Sequence, residues 1–336
     1  MEVIYNPCTD PYFNLAAEEA LLCGEDDVFL LWRNASSVII GKNQNTFAEV
    51  NIPFAEKENI KIARRLTGGG AVFHDEGNIN YTFITDADGD GIDFARFTEP
   101  VCRALESFGV KAELNGRNDL CAEGFKISGN AQCVYDTPGK RKRLLHHGTL
   151  LFSADISKMA GALRVNKEKL QSKGIKSVPS RVKNIIDIEG YCGPKTPEGF
   201  AGALLDFACD DFSATSRELS HEEKALSQRL RDEKFFTWDW NFGKSPLLRE
   251  KVSRRFSWGT VEIGYTCKNG VIEEVSVFGD FFGVCDTADL CRSLCGCRLI
   301  KEDITAALSN VDRYISGAKP EELCELILEG SSSTPV

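Results

Sequence analysis

Arg64-Arg-Leu-Thr-Gly-Gly-Gly-Ala-Val-Phe-His74 is the stretch on which the fold turns. Its three consecutive glycines stand between two strand-like runs, Lys61 to Leu66 and Asn80 to Ile84, where glycine loses more conformational freedom on folding than any other residue. That entropy is worth losing where a ligand lies directly on the backbone, because amides without side chains cradle an anion. Arg64 and Arg65 beside them supply charge in a planar fork. The spacing is neither the P-loop pattern nor the G-x-G-x-x-G of a dinucleotide-binding crossover, so both of those architectures are disfavoured.

Upstream, Asp10-Pro11 reads as the start of a helix running to Gly24, and Val28–Arg33 and Ser37–Gly41 read as a hairpin across Asn34 to Ser36. Pro53 opens a short helix. Downstream, a helix is predicted over Asp93 to Phe108, closed by Gly109 and with Pro100 as a kink. Strands follow at Lys111–Leu114, Asp119–Ala122, Phe125–Val134 and Leu144–Phe152. The pattern then turns helical near Asp155–Leu163, Pro197–Cys209 and His221–Arg231. Strand signals return at Ser257–Cys267 and Val271–Phe278, and helical ones at Thr287–Leu294, Ile304–Leu308 and Pro320–Leu328. The shift after Trp238 to Lys244 sets a boundary, with a large domain over 1–245 and a small one over 246–336. Ser331 to Val336 reads as a frayed tail. The elements are too mixed for regular βαβ alternation, so the class is α/β in the α+β sense.

Composition narrows the function. Hydrophobic residues make up 42% and charged residues 27% of 336, the balance of a globular protein. A net charge of -10 argues against a dedicated nucleic-acid binder. Apolar runs such as Val28 to Trp32 fall far short of the roughly 20 residues that cross a bilayer, and no signal peptide is visible, so the cytoplasm is expected, with no membrane partner. The 13 cysteines are then read as reduced thiols. Between Lys140 and Lys183 twelve basic residues face two acids, a strip suited to an anionic substrate or an acidic partner.

Three segments carry chemistry. After the glycine run comes Phe125-Lys-Ile-Ser-Gly-Asn-Ala-Gln132, where Lys126 on a half-buried strand needs an anion. The third is Leu144-Leu-His-His-Gly-Thr149, whose adjacent histidines point to opposite faces, so at most one faces a site and the pair cannot chelate one metal. Cys285, Cys291, Cys295 and Cys297 lack any C-x-x-C pair and read as buried helix thiols. Cys133, beside His146 and His147, is a weak candidate for a nucleophile pair.

Taken in this order, the three segments resemble the lipoate protein ligase family. Asp10-Pro-Tyr-Phe-Asn-Leu-Ala-Ala-Glu18, Leu31-Trp-Arg-Asn34, Gly116-Arg-Asn-Asp-Leu120, Lys173-Gly-Ile-Lys-Ser-Val178 and Trp238-Asp-Trp-Asn-Phe-Gly243 match as well. The resemblance implies a large mixed-sheet catalytic domain of the type shared with biotin protein ligases, followed by a small α/β accessory domain. It implies a two-step reaction, in which lipoate and ATP give lipoyl-AMP and pyrophosphate and the acyl group passes to a lysine of a lipoyl carrier domain. The carriers it implies belong to 2-oxoacid dehydrogenase complexes and include the glycine cleavage H protein. By motif, Arg65 and Gly70, Ala71, Val72 and Phe73 hold ATP, Lys126 touches ATP and the lipoyl carboxylate, Trp32 lines the lipoyl pocket, and His147 is a lesser pocket residue. Mg2+ is expected with ATP, its ligands unassigned. Asn130 stands where some members have serine, which bears on acyl-chain preference. Two other readings stay open: an ATP-independent octanoyl or lipoyl transferase working through a thioester on Cys133, and a non-catalytic lipoate-binding protein.

Overall fold

The computed structural model describes residues 1–87, 92–136, 141–164, 181–243 and 250–331. Its centre is an eight-stranded mixed sheet in the order β11-β1-β2-β6-β10-β9-β8-β7. The strands are β1 (Glu2–Asn6), β2 (Val28–Arg33), β6 (Asn78–Asp86), β7 (Glu113–Asn115), β8 (Asp119–Ala122), β9 (Phe125–Tyr135), β10 (Arg143–Leu151) and β11 (Ser216–Arg217). Only β1 pairs in parallel, with β2 and β11, and the remaining ladders are antiparallel. A three-stranded sheet, β4-β3-β5, lies beside it, built from β3 (Ser37–Ile40), β4 (Lys61–Arg64) and β5 (Val72–His74).

The helices at Phe94–Ser107 and Pro197–Asp211 cover one face of the large sheet through a core that includes Phe83, Phe97, Phe152 and Phe200. Asp93 caps the first of these by accepting from the Arg96 amide, and Gly109 follows it with φ 78°. Pro100 lies inside that helix. The other face is covered near its β1–β2 side by the helix Pro11–Leu22, through Leu15, Leu30, Trp32 and Phe235. Farther along the same molecule, β12 (Glu250–Phe256), β13 (Gly259–Lys268) and β14 (Val271–Gly279) form an antiparallel sheet. The helices at Thr287–Leu294, Lys301–Ala307, Val311–Tyr314 and Pro320–Ser331 pack on it around their own core of Tyr265, Phe281, Leu290 and Leu323.

The expected mixed α/β architecture is present, with one clear departure. β2 and β3 are not a hairpin: β2 pairs with β1 and β6, and β3 with β4 and β5. The chain leaves one sheet at Arg33 and enters the other at Ser37. Asn14 Nδ2 braces the crossing by donating to the Arg33 carbonyl at 2.8 Å and to Asn34 Oδ1 at 2.9 Å. Both strands are buried along nearly their whole length, which two flanking ladders each require and a lone hairpin does not. Short elements at Thr46–Glu49, β5 and β12 add to the expected list. The expected boundary at 245 and the 332–336 part of the expected tail lie outside the described residues. No helix among the described residues is long and apolar enough to cross a membrane.

Candidate active site

A cavity of about 340 Å³ opens between the large sheet and the glycine segment. Trp32, Arg65, Gly70, Ala71, Val72, Phe73, Lys126 and His147 all line it, so the residues that the family resemblance assigned to ATP and lipoate stand on one cavity, while Arg64 and Cys133 do not line it.

The three glycines serve different ends. A side chain on Gly68 would collide with the Phe281 carbonyl of the C-terminal unit. Gly69 has φ 92°, a region that favours glycine, and its amide donates to that carbonyl at 3.3 Å. Gly70 alone has open space where a side chain would point. The two arginines are also unlike one another. Arg64 is fully buried and donates to the carbonyls of Trp240, Gly41, Lys42, Gln44 and Asn241 and to Thr46 Oγ1. It is a structural tie, not the ligand fork that the sequence suggested, because its donors are taken up by protein oxygens. Arg65 lines the cavity but donates to Thr67 Oγ1 and to the carbonyls of Ile39, Gly68 and Gly70. It thereby fixes the carbonyls of the glycine turn on its own side. Burial lowers both guanidinium groups to about 10.

Lys126 has the anionic partner that its strand position demanded. Its Nζ lies 2.7 Å from Asp119 Oδ1, and Arg181 binds the other oxygen of that carboxylate. Asp119 closes the three-residue stretch Arg117-Asn118-Asp119, and all three line the cavity. Asn118 Nδ2 donates to the Asn130 carbonyl, while Asn130 Nδ2 returns a bond to the Asn118 carbonyl at 3.1 Å and Tyr81 donates to Asn130 Oδ1. Asn130 therefore braces the bend that presents Asp119 to Lys126.

The two histidines divide as the strand period requires. His146 is fully buried among Phe97, Phe94 and Tyr81, and burial holds it well below the ordinary histidine range. His147 faces the cavity. Its Nδ1 lies 2.8 Å from Glu18 Oε1 and its Nε2 2.8 Å from Thr67 Oγ1. Thr82 donates to the same Glu18 oxygen at 2.7 Å and accepts from Trp32 Nε1 at 2.9 Å. Trp32 and His147 thus hang on one buried carboxylate, which fixes both rings. Sequence reading missed Glu18 and Thr67 as its anchors. The signal available was a glutamate on a helix that is buried along nearly its whole length.

The cation count favours an anionic ligand. Arg65, Arg117, Lys126, Arg164, Arg181 and Arg255 line the cavity against Glu49, Asp119 and Asp280. Arg255 and Asp280 come from the C-terminal unit, which therefore supplies part of the wall. Of the basic strip, Arg143 is buried and donates to Asp86 at 2.5 Å and to the Asp26 carbonyl, so it is tied into the fold. Residues 165–180, including the Lys173–Val178 segment, lie outside the described residues. Cys133 is half-buried against a core that holds Ile84 and Leu145, is not among the described residues that line the cavity, and burial pushes its thiol up to about 12. All 13 cysteines are free thiols. Among the described residues no group of three or more His, Cys, Asp or Glu is placed to hold a metal ion.

Comparison with known proteins agrees with this geometry. The family model "Lipoyl protein ligase A/B catalytic domain" matches residues 10–206, and "Bacterial lipoate protein ligase C-terminus" matches 245–327. Lipoate–protein ligase 1 of Staphylococcus aureus is 42% identical over 92% of this chain and 93% of its own. Among solved structures, LipL1 of P. falciparum in complex with lipoate superposes with a TM-score of 0.77 at 25% identity, covering 98% of this chain and 99% of its own. A lipoate-protein ligase A bound with ATP superposes with a TM-score of 0.60 at 26% identity over 72% of this chain and 98% of its own. With most of its length matched and its relatives matched nearly end to end, the chain belongs to the lipoate protein ligase family.

Proposed function

We propose that this chain is an ATP-dependent ligase that activates free lipoate as lipoyl-AMP and then transfers the lipoyl group to a lysine of a lipoyl carrier domain. The observation that carries the reading is Lys126, held by Asp119 at 2.7 Å on the wall of a cavity that also holds Trp32 and the Gly70 backbone. In the first half-reaction a carboxylate oxygen attacks the α-phosphorus, the bond to the β-phosphate oxygen breaks, and pyrophosphate leaves. Negative charge gathers between carboxylate and phosphate, where Lys126 and the Gly70 to Phe73 backbone are assigned to meet it. Arg65 acts by holding the turn that presents those amides. In the second, the carrier lysine attacks the acyl carbon, AMP leaves and a proton passes to solvent. Trp32 and His147 are assigned to the lipoyl chain, in the apolar part of the slot with Leu15, Ile39 and Val72.

Magnesium would supply charge neutralisation on the triphosphate, carried chiefly by phosphate oxygens as it usually is in nucleotide sites. Of the cavity's carboxylates, Asp119 is taken up by Lys126 and Arg181, so Glu49 and Asp280 are the ones that would face such an ion. The carriers proposed are the acyltransferase subunits of 2-oxoacid dehydrogenase complexes and the glycine cleavage H protein, and the compartment is the cytoplasm. Residues 1–245 are proposed as the catalytic domain and 246–336 as the accessory one.

The test is pyrophosphate release from ATP on adding lipoate, followed by a lipoyl mass gain on the lysine of an added carrier domain. Transfer of octanoyl groups between carriers without ATP consumption would overturn the reading in favour of a cysteine thioester.

A further inference from the structure

The central strand β6 carries a polar row where a buried strand is normally apolar. Asn78, Asn80 and Thr82 alternate on one face, and all three are essentially inaccessible. Thr82 is satisfied through Trp32 and Glu18. Asn78 Nδ2 donates to Asn80 Oδ1 at 2.9 Å, which commits the Asn80 oxygen and leaves its Nδ2 without a partner among the described residues. From the other sheet, His74 closes in on the same region, its ring centroid 6.2 Å from that of Trp32, which is itself the register neighbour of Asn80. Asn34 Nδ2 meets His74 Nδ1 at 3.0 Å, and Asn34 Oδ1 is already taken by Asn14 Nδ2, so Nδ1 is the acceptor and Nε2 carries the hydrogen. That Nε2 is unpartnered too. His74 and Asn80 both line the cavity. The cavity wall therefore carries two buried N–H donors, both beside Trp32 and neither satisfied among the described residues.

The distance from Lys126 sets what reaches them. Thr149 of β10 is the register neighbour of Asn80, and its hydroxyl accepts from the Gly129 amide on β9. The Lys126 ammonium lies folded over Gly129. Asn80 is thus two strands away, roughly 10 Å at the usual strand spacing. Five bonds of about 1.5 Å separate the carboxyl carbon of lipoate from its ring, so an extended chain anchored at Lys126 brings the ring sulfurs to about this depth.

Resting on the ligase reading above, we propose that Asn80 and His74 are specificity-determining residues that read the dithiolane, their two N–H groups donating to ring sulfur. A saturated fatty acid of the same length offers no acceptor there, leaves both donors buried and unpaired or expels water that served them, and is disfavoured for that reason.

The test compares lipoate with 5-cyclopentylpentanoate, which fills the same shape with methylenes in place of sulfur, as substrates for pyrophosphate release by the full chain. The unaltered protein is expected to favour lipoate by about ten-fold in kcat/KM. Asn80→Leu is expected to lower kcat/KM for lipoate about ten-fold and to raise it for the cyclopentyl acid, a crossing of preferences that general damage does not give. Equal use of both acids by the unaltered protein overturns the proposal without needing any variant, as does an Asn80→Leu protein that keeps the original preference. Release with neither acid, nor with octanoate, overturns the ligase reading itself.

Discussion

Lys126 and Asp119 form an ion pair of 2.7 Å on neighbouring strands, with Arg181 on the far oxygen of the same carboxylate. The pair lies at a bulge, where the β8–β9 register shifts between Leu120 and Cys121, so that Lys126 stands opposite Cys121 and its side chain turns back over Gly129. A β-bulge re-aims one side chain without breaking the ladder around it. Lys126 therefore faces the cavity from a strand whose period alone would not settle its direction.

Lys126→Ala is expected to reduce lipoate-dependent pyrophosphate release at least a hundred-fold, the usual cost of deleting a group that meets transition-state charge. Thermal unfolding should move by only a few degrees, because the mostly buried Asp119 keeps its pairing with Arg181 when Lys126 is removed. Asp119→Asn should have an intermediate effect, since it frees Lys126 while keeping it charged. A variant that unfolds at the original temperature yet releases pyrophosphate normally would remove Lys126 from the chemistry.

Cys133→Ser should retain both half-reactions within about two-fold. With its thiol pushed up to about 12 by burial, hardly any thiolate exists at neutral pH, and the thiolate is the nucleophilic form. Mass spectrometry after brief alkylation of the native protein should find Cys133 unmodified. Loss of acyl transfer in Cys133→Ser, with adenylate formation intact, would reinstate a thioester step.

Much of this was legible because the informative residues obey local rules. Asp93, Asp155 and Thr196 cap their helices through side-chain oxygens, and the Asp119–Ala122 strand and the Thr287–Leu294 helix fall where their patterns placed them. The failures are tertiary. No local signal tells that β2 and β3 belong to different sheets, since both are short apolar runs around a turn-like Asn34. Arg64 and Arg65 look alike in sequence, and only packing of the Trp240 to Asn241 backbone against Arg64 separates a structural tie from a cavity residue. Asn78-x-Asn80-x-Thr82 was visible as a polar alternation, but its meaning depends on β6 being central, which the sequence does not state.

Arg64→Ala is expected to destabilise the protein by roughly 3 to 5 kcal/mol, because it takes the guanidinium away from five carbonyls, of which those of Gly41 and Asn241 keep a second donor in the Gln44 amide and Thr46 Oγ1. Arg64→Lys should recover only part of this, having fewer donors and no planar fork. Urea titration at neutral pH measures both. A loss below about 1 kcal/mol for the alanine variant would show that water replaces the guanidinium.

Acid should weaken the fold through its two buried histidines. Burial, with Arg65 and His147 nearby, lowers His74 from 6.5 to about 3, and His146 is lowered in the same direction by burial. Both are therefore neutral when folded, and the unfolded chain binds more protons than the folded one between pH 3 and 6.5. Stability is full above about pH 6.5 and falls as pH drops below it. Denaturant midpoints at pH 7.5 and 5.5 should differ, and His146→Phe, which suits the surrounding aromatic rings, should shrink the difference. An unchanged pH dependence in that variant would mean His146 does not contribute.

The contact between the two halves of the molecule converges on Arg117. Its guanidinium donates to the carbonyls of Trp258 and Asp280 and lies 4.6 Å from the Phe282 ring centroid, while the next two residues are Asn118 and Asp119 of the Lys126 wall. Two backbone bonds cross the same junction, from Gly69 to the Phe281 carbonyl at 3.3 Å and from Gly279 to the Asn43 carbonyl at 2.8 Å. Arg117→Ala removes the side chain that holds those carbonyls in register, so hydrogen exchange at the Gly69 and Gly279 amides should accelerate by about ten-fold or more. Amides within the β13–β14 ladder, which depend on the C-terminal core and not on the junction, should keep their protection. If both sets accelerate together, Arg117 stabilises the C-terminal unit itself, whereas no change at Gly69 would show that the glycine turn holds Phe281 unaided.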